Sequence, residues 1–189
     1  MSKLIKIRPA RSDDELKQGA SYVGYEWAVM AGARLVDWHK DVPEDKSFHA
    51  IVSHSARTEL ILLHARALYD FLFYPTPRDD DVISIDVLGV NNARTWEDNR
   101  GNNCQKLCPI LNQNRDRIHK MLAHLSYDRK KLKEKDGPHP DVIERELIAA
   151  FKEFWSLMEP NYQNLFKGGL HEASSEHFPF IQELSEECC

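Results

Sequence analysis

Apolar positions recur along this chain at intervals of three and four residues, the signature of α-helices that each bury one face. After a short basic lead, Ser12-Asp13-Asp14-Glu15 sets a hydroxyl at a helix cap and a carboxylate three residues on. That is a capping box, which satisfies two backbone donors that a helix start leaves open. A helix is predicted to begin there, with Leu16, Ala20, Val23, Trp27, Met30, Leu35 and Trp38 on its buried side. Gly19, Gly24 and Gly32 each weaken it by about 1 kcal/mol relative to alanine, and their predicted use is close helix approach or a kink. A second helix is predicted over residues 47–74, where Pro75 and Pro77 end it. Between Ile61 and Phe73 it is apolar around most of its circumference, with Glu59, Arg66 and Asp70 as a narrow polar strip. A helix this apolar belongs in the middle of a bundle. Glu59 with Arg66, and Arg66 with Asp70, stand at spacings that permit ion pairs. His54 and His64 lie on or beside the apolar axis, and hydrogen-bonded core histidines are the expected reading.

Residues 75–103 read as the longest irregular connection, with a short helical turn at 84–88. Asp79-Asp80-Asp81 lacks the spaced oxygen ligands and the glycine of a calcium loop, so helix capping is the predicted role. A third helix is predicted from Pro109, a favoured first-turn residue, to about Lys133, broken by Gly137, Pro138 and Pro140. A fourth follows over 140–159, with Val142, Leu147, Phe151, Phe154, Trp155 and Met158 buried and Pro160 as its stop. The pattern predicts an all-α fold: an up-and-down four-helix bundle with a long central helix and a short C-terminal tail. The bundle domain is placed at residues 1–165 and the acidic tail at 166–189.

With 189 residues, 42% hydrophobic and 29% charged, the chain is long and apolar enough to fold around one core without metal or disulfides. It has no uncharged apolar run near the roughly 18 residues a membrane span needs. The N-terminus lacks the apolar centre of a signal peptide. A cytoplasmic protein with no membrane segment is therefore expected. Cys104, Cys108, Cys188 and Cys189 have neither zinc-site nor redox spacing and read as thiols. A net charge of −5 conceals an uneven distribution. Residues 113–135 carry eight basic and three acidic groups, whereas 136–189 carry three and eleven. A basic island in an acidic chain suits phosphate, or it solvates a helix end where cations also favour the macrodipole.

The candidate chemistry lies in that island. In a helix over 112–135, Ile118, Met121, Leu122 and Leu125 form the apolar face, and Arg117, His124 and Asp128 line one edge of it. Two turns separate Arg117 from His124, about 10 Å of rise, and Asp128 is an i,i+4 neighbour of His124. Arg115 and His119 form a second i,i+4 pair on the opposite edge.

Together, LLHARALYDFL in the long helix, the acidic DDDVISIDVL and RIHKMLAHLSYDR resemble a bacterial helical-bundle family related to the HEPN proteins. The resemblance covers roughly residues 47–130. The family's signature is an arginine and a histidine separated by four to six residues near the start of a late helix, and Arg117 and His124, with six between them, fit its long limit. The resemblance implies a metal-independent ribonuclease that works as a homodimer, often as the toxic half of a toxin–antitoxin or phage-defence pair with a cognate antitoxin. Cleaving RNA through its own 2′-hydroxyl needs a group near neutral pKa to move the proton and a fixed cation for the charge that builds on phosphorus. Histidine and arginine meet those needs. His124 would be the general acid or base and Arg117 the phosphate clamp; Asp128, one turn from His124, would fix the imidazole tautomer, although the family's signature does not require it. Arg115, His119, Lys120, Arg129 and Lys130 are candidate RNA contacts. No cofactor is called for.

Two other readings stay open. Arginine, histidine and aspartate along an apolar edge also describe a noncatalytic nucleic-acid- or protein-binding bundle, whose polar border bonds to a neighbouring helix. A metal site built from His54, His64, His119 or His124 would need ligands from several helices, because positions 119 and 124 point about 140° apart. The chain has no glycine-rich phosphate loop and no Gly-x-Ser-x-Gly elbow.

Overall fold

The computed structural model describes residues 10–35, 48–74, 78–123 and 140–169. They are all-helical, with no strand among them. Six α-helices and one 3-10 turn follow in the order α1 (Asp13–Leu35), α2 (Phe48–Phe73), the turn Ser84–Val87, α3 (Val90–Leu107), α4 (Pro109–Ala123), α5 (Pro140–Ser156) and α6 (Pro160–Gly169).

The capping box forms as its residues dictate. The Ser12 amide donates to Glu15 Oε2 at 2.8 Å and the Glu15 amide to Ser12 Oγ at 3.3 Å. From there Leu16, Ala20, Val23, Trp27 and Met30 run down the buried face of α1. Gly19 does serve close approach, but to a loop and not a helix: a Cβ there would stand 2.9 Å from Val82 Cγ1. α2 is the central element, packing against α1, α3, α4 and α5. Near its C-terminal end an aromatic cluster ties the elements together. Phe71 stacks on Phe151 with centroids 6.0 Å apart and meets Phe154 edge-on at 5.5 Å, while Trp96 stacks on Phe73 at 5.9 Å. Trp27 of α1 completes the cluster against Phe151 at 5.4 Å.

Two helices go beyond the four that the hydrophobic pattern predicts. α3 occupies the second half of the stretch read as irregular and runs on past it. It is rich in asparagine, which has weak helical preference because its side chain competes for the backbone, and it buries one large residue, Trp96. Its polar side chains bond to backbone carbonyls: Thr95 Oγ1 to Asn91 O, Asn99 Nδ2 to Thr95 O, and Asn92 Nδ2 to Leu157 O. Gly89, with φ 72°, makes the sharp entry to this helix. α6 begins at the proline that was read as a stop. Pro160 ends α5 and also suits the first turn of the next helix, where a missing N–H costs nothing. α6 then packs on α1 and buries Phe166 against Trp155.

The short turn expected near Ser84 is present, and α4 starts at Pro109 as expected. On α5 the buried stripe runs through Ile143, Leu147, Ala150, Phe151 and Phe154, and Val142 is only half-buried. The acidic triplet caps no helix. Asp81 Oδ2 accepts the Arg78 amide at 2.6 Å and closes a tight turn, and the Asp79 carbonyl accepts the Arg11 guanidinium. No described helix is long and apolar enough to cross a membrane.

Candidate functional site

The polar strip of α2 forms one wall of a cleft. Arg66 and Asp70, one turn apart, pair through Nε and Oδ2 at 3.4 Å. The other carboxylate oxygen of Asp70 accepts Arg115 Nε at 3.4 Å, from α4, 45 residues away. One carboxylate thus holds two guanidinium groups on either side of itself and ties α2 to α4. The cleft beside them has a volume of about 360 Å³, and Arg78, Asp81 and Ile83 of the loop after α2 line its far wall. Among the described residues no histidine or cysteine lines it. The arginines held there suit binding of an anion.

Tyr74 closes the cleft where α2 ends. Its phenol donates to Glu97, the Arg100 guanidinium lies 4.7 Å from its ring centroid, and Arg100 Nη1 donates to its carbonyl at 3.0 Å. Burial, and then the Glu97 carboxylate, push the phenol well above the usual tyrosine range. Tyr69, one turn earlier, is raised the same way, mainly by burial, and donates to Asn112 Oδ1 at 2.8 Å. Both phenols stay protonated and serve as hydrogen-bond donors to these partners.

α4 is held at both ends of its buried face. Leu111 and Ile118, seven residues apart, are both in the core. At the N-terminus the residue before Pro109 is Cys108, a poor acceptor for the first free backbone amides. Glu146 of α5 takes that role: its two oxygens accept the Ile110 and Leu111 amides at 2.8 and 3.0 Å. A carboxylate at this end also complements the helix macrodipole. Burial, then the Glu146 carboxylate, raise the Cys108 thiol, so it stays protonated and inert. Cys104 and Cys108 are both free thiols.

The residues singled out from sequence are placed unevenly. Arg115 lines the cleft and is paired with Asp70. Positions 117, 119 and 120 are helical in α4, while the side chains of Arg117, His119 and Lys120 lie outside the described residues. So do His124, Asp128, Arg129 and Lys130 entirely, and the side chain of His54. By helix geometry position 117 stands about 200° around the axis from position 115, so the cleft and the Arg117 edge belong to opposite sides of α4. His64 is buried, as expected of a core histidine, with Nδ1 2.6 Å from Glu26 Oε2 and its ring edge-on to Tyr25. Among the described residues no group of three histidine, cysteine or acidic side chains could hold a metal ion. Sequence reasoning noted Asp70 only as an intrahelical partner, and it passed over Arg78 and Glu146, whose partners or neighbours come from distant elements. The chain matches no family model, no curated protein and no solved structure.

Proposed function

We propose that this protein is a HEPN-like ribonuclease that cleaves RNA without metal, with Arg117 and His124 as its reacting pair. The observation that carries the reading is the anchoring of α4. A helix whose start is clamped by Glu146 and whose Leu111 and Ile118 are sunk in the core is a rigid carrier for position 117. Catalytic groups act best from such fixed elements. Arg117 stabilises negative charge on the phosphorane oxygens, His124 moves the proton of the 2′-hydroxyl, and Asp128 orients the imidazole. Arg115, His119, Lys120, Arg129 and Lys130 contribute the phosphate contacts that give RNA affinity. α1, α2, α4 and α5 serve as an up-and-down core, and two copies pair so that their motifs face each other, in the cytoplasm and opposite a cognate antitoxin.

The test is incubation of the purified chain with total RNA in excess chelator, comparing wild type with Arg117→Ala and His124→Ala. Chelator-resistant cleavage that falls about 100-fold or more in both variants supports the enzyme. Intact RNA bound in a salt-sensitive manner marks the noncatalytic binding bundle instead. Cleavage that survives both substitutions overturns the assignment of the pair.

A further inference from the structure

The cleft between α2, the 78–83 loop and α4 is used by none of the chemistry above, apart from Arg115. Among the described residues three guanidinium groups line it, from Arg66, Arg78 and Arg115, against two carboxylates, Asp70 and Asp81. The side chains of Arg66 and Arg115 are only 28% and 33% exposed. Three positive and two negative groups leave a net positive charge among the described residues of the lining. Asp70 holds both arginines through Nε at 3.4 Å. Each guanidinium carries five donors in a rigid fork, and a fork fixed by one partner loses less freedom when it meets a second.

We propose that this cleft binds a phosphate ester, one phosphoryl group with its attached sugar. A carboxylate ligand presents two oxygens in one plane, which Asp70 already does between the same two arginines. A tetrahedral phosphate offers more acceptor oxygens, in more directions, and so can meet guanidinium groups from α2, α4 and the loop together. The volume of about 360 Å³ lies at the small end of ligand pockets, which span roughly 300–1,000 Å³. It admits a single nucleotide unit and not a folded polyanion. The phosphate arises from a free mononucleotide or from one residue of an RNA strand. Position 117 stands about 200° around α4 from position 115, so the cleft uses a different face of the helix from the one that carries position 117.

The test is calorimetric titration of the full chain at low salt with a nucleoside monophosphate, inorganic phosphate and a short single-stranded RNA. Saturable binding of the mononucleotide at one site per chain is expected, weakened about tenfold in Arg66→Gln and in Arg115→Gln, each of which removes a charged bond. Tighter binding of the RNA than of the mononucleotide, weakened in step by Arg66→Gln, assigns the phosphate to a strand, and the reverse assigns it to a free ester. Thermal melts run in parallel. If loss of an ion pair to Asp70 unfolds the first two variants, Arg78→Gln carries the test, since it leaves both of those pairs in place. No saturable binding of any of the three ligands to wild type, or equal binding by every folded variant, overturns the proposal. Because the mononucleotide cannot be cleaved at an internal phosphodiester, this outcome is read separately from ribonuclease activity.

Discussion

The C-terminal half of α2 meets its neighbours in two different ways. Towards α3 and α5 it presents Phe71, Leu72 and Phe73, all buried, and two carbonyls at its end find side-chain donors. Leu72 O accepts both Trp96 Nε1 and Ser84 Oγ at 2.9 Å, and Tyr74 O accepts Arg100. Towards α4 and the loop it presents Arg66 and Asp70, half-buried and paired with each other, and Asp70 also pairs with Arg115, each at 3.4 Å. The first flank gains from removing apolar surface from water and from satisfying a helix end. The second spends charge on charge beside an open cleft, where solvent screens the pairs. Stability should therefore sit on one flank of α2 and ligand recognition on the other.

The strongest attack on that division is Trp96→Ala. The indole is fully buried between Phe73 and Phe154, and its loss should cost about 3–5 kcal/mol in denaturant unfolding. Trp96→Phe keeps the ring packing and removes one of the two bonds to Leu72 O, which should cost about 1 kcal/mol. If alanine at 96 proves nearly neutral, α3 is not what holds the end of α2.

A smaller effect is expected at the joint between the flanks. Glu146→Ala leaves the Ile110 and Leu111 amides without their acceptor, a loss of about 1–2 kcal/mol for a helix cap. Amide hydrogen exchange at those two residues should accelerate before the rest of the core does. If the proposed cleavage depends on α4 as a fixed carrier, this variant also slows cleavage at temperatures where the chain is still folded. Glu146→Gln restores part of both, because one amide oxygen remains to accept.

Alkaline pH separates the same regions by another route. The Cys108 thiol is raised in the folded chain, so its stabilising effect is complete below the ordinary cysteine pKa of about 8.5 and declines as pH climbs above it, by about 1.4 kcal/mol per pH unit. The sign follows from the unfolded chain losing the proton first. Cys108→Ala should flatten the fall in melting temperature between about pH 8.5 and 10.

Much of this was legible in the sequence where local chemistry decides the outcome. Ser12 and Glu15 lie within one turn of each other, and Pro109 constrains its own backbone, so both helix starts could be read directly. α3 could not, because Asn91, Asn92, Asn99, Asn102 and Asn103 speak against a helix and only Trp96 and its tertiary contacts override them. Pro160 was legible as a boundary but not as to which side of it was helical. The cleft shows the same limit: Arg66 and Asp70 were visible as an i,i+4 pair, whereas Arg115 reaches them only after α4 folds back on α2.

Asp70→Asn gives the smallest expected change and the sharpest test of the charged flank. Asp70 and both of its partners are about a third exposed, so solvent screens the pairs and their removal should cost only about 0.5–1 kcal/mol. Asparagine keeps an oxygen to accept one guanidinium, and the tie between α2 and α4 weakens without a cavity forming. A loss as large as that of Trp96→Ala would mean that the charged flank carries the fold, and the cleft would then be a structural joint. A small loss would leave Arg66 and Arg115 in place as groups held near one another for a purpose other than stability, since Leu111 and Ile118 already fix α4 in the core.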